Sequence, residues 1–267
     1  MNLDTEFEHF WEKGYVVIRN AFTKDEMSII KRAITQNERL NNRYEELKDE
    51  TKSGKRNAFS TIFVWNDTSG DDVFSVITRS YKIFDRLEFF FKDEVYVYHN
   101  KIPLKYRGMT GFPYHQDYAY WYGMGNLYPD MATTFIALDP AHKNNGCLKI
   151  IEGSHKLGRV DHIGFDGVEP ARLDEIKKRI PETVVELDTG DMVIFHANSI
   201  HGSEDNNSNL SRLALIGTYN TKHNDPYAIS CGHPKYTKQK KIMRPLIESD
   251  INKLPDFDMN YYDCDYE

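Results

Sequence analysis

Gly190-Asp191-Met192-Val193-Ile194-Phe195-His196-Ala197-Asn198-Ser199-Ile200-His201-Gly202-Ser203 is the stretch that decides the fold. A Gly-Asp turn leads into a short apolar run that stops at His196. A run of this length bounded by turn residues reads as a buried strand. Similar runs recur at Val95–Tyr98, Met131–Leu138, Leu148–Ile151, Thr183–Leu187 and Leu213–Tyr219. Turn clusters such as Asn144-Asn145-Gly146 and Asp188-Thr189-Gly190 separate them.

Upstream of the strands the pattern is helical. Phe7, Phe10 and Trp11 recur at helical spacing, Gly14 stops that helix, and Tyr15–Ile18 is a short strand. Thr23 and Glu26 form a capping box ahead of a helix that carries Met27, Ile29, Ile30 and Ala33. The polar stretch 37–55 is expected to be a flexible connection or an irregular helix. A further helix is expected at Leu173–Arg179, inside a polar insert. Early helices followed by many short strands predict an α+β, mainly β fold built on a sandwich or barrel. No linker divides the chain, so residues 1–267 are expected to form one domain.

Composition narrows the class. The chain is 40% hydrophobic and 28% charged, which argues against disorder over most of its length. Its net charge of -7 does not favour nucleic acid or an anionic membrane. The locally basic run Lys235–Lys241 reads as a solvated loop. Cys147, Cys231 and Cys264 are odd in number and lack CxxC spacing, which argues against a disulfide scaffold or a zinc-thiolate site. The N-terminal residues are acidic with no apolar core, and no run approaches ~18 apolar residues. Neither a secretory signal nor a membrane span is expected, so the expected location is the cytoplasm.

His115-Gln116-Asp117 sets an imidazole and a carboxylate two residues apart. On extended backbone, residues i and i+2 share a face, so both can reach one metal ion. One more histidine completes a two-His-one-carboxylate set. That set leaves positions open on Fe(II) for a chelating co-substrate and O2. Among ten histidines, His201 is preferred, and His196 at the end of the same strand is the rival. Arg212, eleven residues after His201, decides the preference. An antiparallel return would bring it beside the metal, where its planar fork suits a carboxylate such as the distal one of 2-oxoglutarate. A His-x-Asp pair alone is common by chance. The joint pattern of pair, strand-borne histidine and arginine is much more specific.

These residues resemble the phytanoyl-CoA dioxygenase-like superfamily over most of the chain. The resemblance runs through Phe10–Phe22, His115-Gln116-Asp117, Asn145-Gly146-Cys147-Leu148, Glu152-Gly153-Ser154-His155, Gly190–Ser203 and Arg212, with Glu152 where the family usually has proline. It implies a double-stranded β-helix (jelly-roll) core with flanking helices. It also implies Fe(II), 2-oxoglutarate and O2 as requirements, with succinate and CO2 released. His155 is then structural. Tyr98–Lys105 and Trp121 are similar to the ectoine hydroxylase branch, although Tyr106-Arg107-Gly108 departs from it. The same resemblance suggests that Lys105, Ser203 and Thr133 or Thr134 assist the co-substrate. It also favours hydroxylation over halogenation, because Asp117 retains the carboxylate.

The expected partner is a small polar metabolite such as an amino acid or a related compound. Alternate members of the aromatic run Tyr118, Tyr120, Trp121, Tyr122 are candidates to wall its pocket. His99 and Arg107 are candidates to meet an acidic group on it. A metal-binding jelly roll without chemistry, and a cupin-like enzyme that does not use 2-oxoglutarate, are the competing classes.

Overall fold

In a computed structural model, residues 2–38, 40–42, 45–46, 61–65, 70–164, 167–227 and 234–253 are described. The chain starts with the expected helix, strand and helix. Helix α1, Leu3–Lys13, is capped by the Asn2 side chain, which accepts from the N–H of Thr5. It ends at Gly14, whose φ of 82° is left-handed and whose N–H donates to Phe10. Strand β1 is Tyr15–Ile18, and α2 is Lys24–Gln36 with the Thr23–Glu26 capping box in place. Most of the polar stretch 37–55 lies outside the described residues. Helices α3, Val73–Thr78, and α4, Tyr81–Phe91, follow strand β2, Thr61–Trp65.

The remaining strands are β3 Val95–Lys105, β4 Met131–Ala137, β5 Leu148–Ile151, β6 Glu182–Val185, β7 Met192–His196, β8 His201–Ser203 and β9 Arg212–Thr221. They build two antiparallel sheets, β1-β7-β4-β9-β3-β2 and β6-β5-β8. This is the mainly β, double-stranded β-helix core with flanking helices that the sequence predicts. Helix α6 is Pro170–Lys177, three residues earlier than expected at its start. No helix among the described residues is long and apolar enough to cross a membrane.

Alternation in the large sheet separates two environments. Ile136, Met192, Ile194, Leu213 and Leu215 pack with Phe10, Ile30, Phe84 and Phe90 of the helices. Their neighbours Phe135, Val193, Phe195 and Ala214 face the small sheet, against Leu148, Ile150 and Val185. Burying each large side chain contributes roughly 1.5–3 kcal/mol, so the helical layer holds the large sheet firmly from behind.

Strand β3 breaks this rule once. Val95 and Val97 pack on the helical side, and so do Ile102 and Leu104. The switch from odd to even positions coincides with a register shift against β9 between Val97 and His99. A bulge adds one residue and exchanges the faces of everything after it. Lys101 and Pro103 therefore turn into the space between the sheets.

Candidate active site

The two candidate metal histidines are joined through their backbones. The N–H of His115 donates to the carbonyl of His201 at 2.9 Å, and the N–H of His201 donates back at 3.0 Å. This antiparallel bridge sets the imidazoles side by side, with ring centroids 4.3 Å apart. Each ring is also oriented from behind. Nδ1 of His115 lies 2.8 Å from the Pro113 carbonyl, and Nδ1 of His201 lies 3.0 Å from the Ser199 carbonyl. Each carbonyl accepts a hydrogen bond from Nδ1–H, which leaves the lone pair of Nε2 free on both rings.

Extended backbone at Gln116 (φ -109°, ψ 126°) brings Asp117 to the side of His115, as expected from the sequence, although Asp117 itself begins a helix. It opens α5, Asp117–Gly123. Its Oδ2 accepts from the Thr133 hydroxyl at 2.8 Å. The other oxygen, Oδ1, lies 3.6 Å from His115 Nε2 and 3.9 Å from His201 Nε2. One ligand atom from each residue falls within 4.8 Å of the others. Metal–ligand bonds of about 2.1 Å at right angles need donors about 3 Å apart, so a small inward movement closes the set on an ion. Burial alone would raise the Asp117 carboxyl, but His201, His115 and Lys101 hold it well below the usual carboxylate range. Burial, with His115 alongside, pushes His201 down to about 4. An ionised carboxylate and a neutral imidazole are the protonation states a metal requires.

The triad opens into a cleft between the sheets that encloses about 610 Å³, open mouth included. Phe112, Phe135, Leu148, Phe195 and Ile216 make its walls apolar, and Lys101, Ser203 and Arg212 are among its polar members. Arg212 begins β9, directly opposite Lys105 on β3. Its Nη1 donates to the Gly146 carbonyl, while its buried Nε has no hydrogen-bond partner among the described residues. Burial lowers Arg212 to about 10, so it stays charged at neutral pH. Lys105 Nζ donates to Ser203 Oγ and to the Glu204 carbonyl, each at 2.8 Å. Gly146 has a φ of 71° and packs so tightly against the Glu204 carbonyl and Lys105 that a β-carbon would collide there.

The other candidates take varied places. Ser203 lines the cleft. Thr133 also lines it, but its hydroxyl serves Asp117. Thr134 sits on the opposite face of β4, where its hydroxyl donates to the Gly217 carbonyl. His196 packs among Phe10, Trp11, Phe91 and His155, away from the triad. His155 accepts its place beneath α1, with Nε2 at 3.1 Å from the Trp11 carbonyl.

The aromatic run is helical, so its faces repeat at three to four residues and not at two. Tyr118 and Trp121 turn into a buried cluster with Tyr96 and Tyr98. Tyr120 packs beside His115, with centroids 5.9 Å apart. Tyr122 is exposed beneath the guanidinium of Arg159. His99 is buried against Trp121 and bonded to Thr218, and Arg107 is exposed and bonded to Asn209. None of Tyr118, Trp121, His99 or Arg107 lines the cleft.

Two features escape sequence reading. Gln116, between the metal candidates, donates to the carbonyls of Gly158 and Asn198 and accepts from the N–H of Val160. It thereby ties the loop at 158–162 to the metal segment. Lys101 is the other, a lysine that lines the cleft from within β3.

A family model described as phytanoyl-CoA dioxygenase (PhyH) matches residues 10–214. The chain is 35% identical over 155 residues to L-proline trans-4-hydroxylase of Streptomyces griseoviridis, covering 49% of this chain and 57% of the relative. It is 30% identical over 128 residues to 2-aminoethylphosphonate dioxygenase of an uncultured bacterium, HF130_AEPn_1, covering 48% and 47%. These matches thus span about half the length of those relatives. EctD from S. alaskensis, crystallised with 2-oxoglutarate and 5-hydroxyectoine, superposes with a TM-score of 0.67 at 17% identity, covering 90% of this chain and 86% of that one. At that identity the likeness speaks for the fold. Carried by the match across residues 10–214, the chain belongs to the phytanoyl-CoA dioxygenase family.

Proposed function

We propose that the chain is a single-domain Fe(II)- and 2-oxoglutarate-dependent oxygenase that hydroxylates, or otherwise oxidises, an unactivated C–H bond of a small metabolite. An amino acid or a related compound is the preferred substrate class, and succinate and CO2 are the co-products. One observation carries this reading. One cleft holds both a two-His-one-carboxylate donor set and an arginine whose buried Nε has no partner among the described residues.

Ferrous iron, when bound, supplies the activation of O2 that no protein side chain can perform. His115 Nε2, Asp117 Oδ1 and His201 Nε2 would hold it from one side. Thr133 keeps the second carboxylate oxygen of Asp117 engaged. Arg212 would receive the distal carboxylate of 2-oxoglutarate, with Lys105 and Ser203 behind it. The walls of Phe112, Phe135, Phe195 and Ile216 keep water away from the reacting carbon. A carboxylate at Asp117 occupies the place that a halide would need, which favours hydroxylation over halogenation.

The test is succinate formation from 2-oxoglutarate by aerobic, Fe(II)-loaded protein, screened against a panel of amino acids and related metabolites. Succinate release should depend on iron and rise with at least one small metabolite. It should vanish in His115→Ala. Equal release by wild type and His115→Ala would refute the assignment.

A further inference from the structure

We propose that Lys101 selects the primary substrate, and that this substrate carries an oxyacid group, a carboxylate or a phosphonate. The inference rests on the reading of the cleft as a 2-oxoglutarate oxygenase site.

Lys101 faces the cleft because of the β3 bulge, in the same cavity as His115, Asp117 and Arg212. Its partner across β9 is Ile216, and the next residue across the sheet is Phe135. On β2, the other strand paired with β3, its register partner is Val64, so neither neighbouring strand sets an acidic residue opposite Lys101. The Lys101 side chain makes no hydrogen bond or ion pair with another described residue. Burial pushes the Lys101 amine down, and Asp117 is the one carboxylate that opposes this. Both oxygens of Asp117 have other duties: Oδ2 accepts from Thr133, and Oδ1 faces the two histidines.

The cleft thus has two cationic poles. Arg212 and Lys105 form one. Lys101 lies four residues from Lys105, about 13 Å along an extended strand, so the group that binds at Arg212 leaves Lys101 unserved. The formal charges agree. With the Lys101 amine protonated, a ferrous ion, Lys101 and Arg212 would bring four positive charges, against three negative ones from Asp117 and 2-oxoglutarate. One positive charge remains even with Lys105 neutral. An uncompensated charge in an apolar-walled cleft is costly, and a monoanionic substrate removes that cost. Lys101 stands beside the metal segment, so an acid group held there brings the adjacent C–H bonds close to the reacting centre.

The experiment uses anaerobic Fe(II) protein saturated with 2-oxoglutarate. Acetate, methylphosphonate and neutral acetamide are titrated into wild type, Lys101→Met and Lys101→Arg, by calorimetry and by the visible spectrum. Wild type should bind the two acids and discriminate against acetamide. Lys101→Met should lose at least tenfold in affinity for both acids, and Lys101→Arg should retain most of it. Affinity for 2-oxoglutarate, titrated separately, should change less than threefold in Lys101→Met. Equal binding of acid and amide by wild type would overturn the proposal, as would acid binding unchanged in Lys101→Met. A tenfold loss of 2-oxoglutarate affinity in Lys101→Met would overturn it too, by assigning the lysine to the co-substrate. A wild-type protein that fails to bind 2-oxoglutarate at all would refute the oxygenase reading itself, a separate result.

Discussion

Lys105 and Arg212 stand directly opposite each other across β3 and β9, and both donate to the carbonyl of Gly146. The hydrogen-bond acceptors of the pair are carbonyls and one hydroxyl, with no carboxylate among them. Two buried basic groups side by side, with no carboxylate hydrogen-bonded to either among the described residues, make a receptor for an incoming anion.

The pair predicts proton uptake. Burial, with Arg212 beside it, pushes the Lys105 amine down to about 6. It is therefore mostly neutral at pH 7.5. A carboxylate arriving alongside favours the charged amine and raises that value. Calorimetry of 2-oxoglutarate binding at pH 7.5, in buffers of different ionisation enthalpy, should show up to about one proton taken up per ligand. Affinity should fall as pH rises from 6.5 to 8.5. Lys105→Met should remove both effects, and uptake that persists in Lys105→Met would place the titrating group elsewhere.

Arg212 should govern co-substrate affinity without touching iron. Arg212→Lys keeps the charge and loses the planar fork. A charge-assisted bidentate contact is worth roughly 1.5–3 kcal/mol, so the loss should be on the order of tenfold to a hundredfold. Arg212→Ala should be worse, with iron content unchanged by metal analysis. An unchanged 2-oxoglutarate Kd in Arg212→Ala would remove this residue from the site.

The two histidines that compete in the sequence separate in their effects. His201→Ala and Asp117→Ala should lose iron, whereas His196→Ala should keep it and lose roughly 3 kcal/mol of stability through the packing removed beside Phe10 and Trp11. Burial pushes His196 down to about 3, with His155 adding to the effect. An unfolded histidine gains its proton near pH 6.5, well above that value. Stability contributed by neutral His196 is thus complete above about pH 6.5 and is lost as pH falls toward 3. Urea unfolding of the metal-free protein at pH 7, 5.5 and 4.5 should show a shallower decline in His196→Ala than in wild type. Iron lost from His196→Ala and kept by His201→Ala would reverse the ligand assignment.

Thr133 and Thr134 are adjacent and should behave differently. Thr133→Val deletes the hydrogen bond to Asp117 Oδ2, and loss of such a supporting contact typically weakens metal binding by 10–100-fold. Thr134→Val, on the other face, should leave the iron Kd within about twofold, which is under roughly 0.5 kcal/mol. Equal effects in the two variants would contradict the assigned faces.

Local signals carried much of this architecture. The Thr23–Glu26 box and the Gly14 stop are decided by backbone groups a few residues away, and both are present. The grouping of His115, Asp117 and His201 follows from spacing plus chemistry. What stayed hidden depends on contacts distant in sequence. The bulge in β3 has no marker in Val95–Lys105, yet it decides that Lys101 faces the cleft. The run after Asp117 has the aromatic composition of a strand, but it turns helical where Tyr118 and Trp121 find a buried cluster with Tyr96 and Tyr98. Arg107 looked available for an acid, but the return of the chain at Asn209 takes it.

The most direct measurement is an anaerobic titration of 2-oxoglutarate into fully Fe(II)-loaded protein, followed in the visible spectrum and by calorimetry. Keto-acid chelation at the positions left open by His115, Asp117 and His201 predicts a weak charge-transfer band that saturates at one equivalent. At the same ligand concentration the band should be greatly reduced in Arg212→Ala. Iron-loaded wild-type protein with no band and no heat of binding would contradict the account.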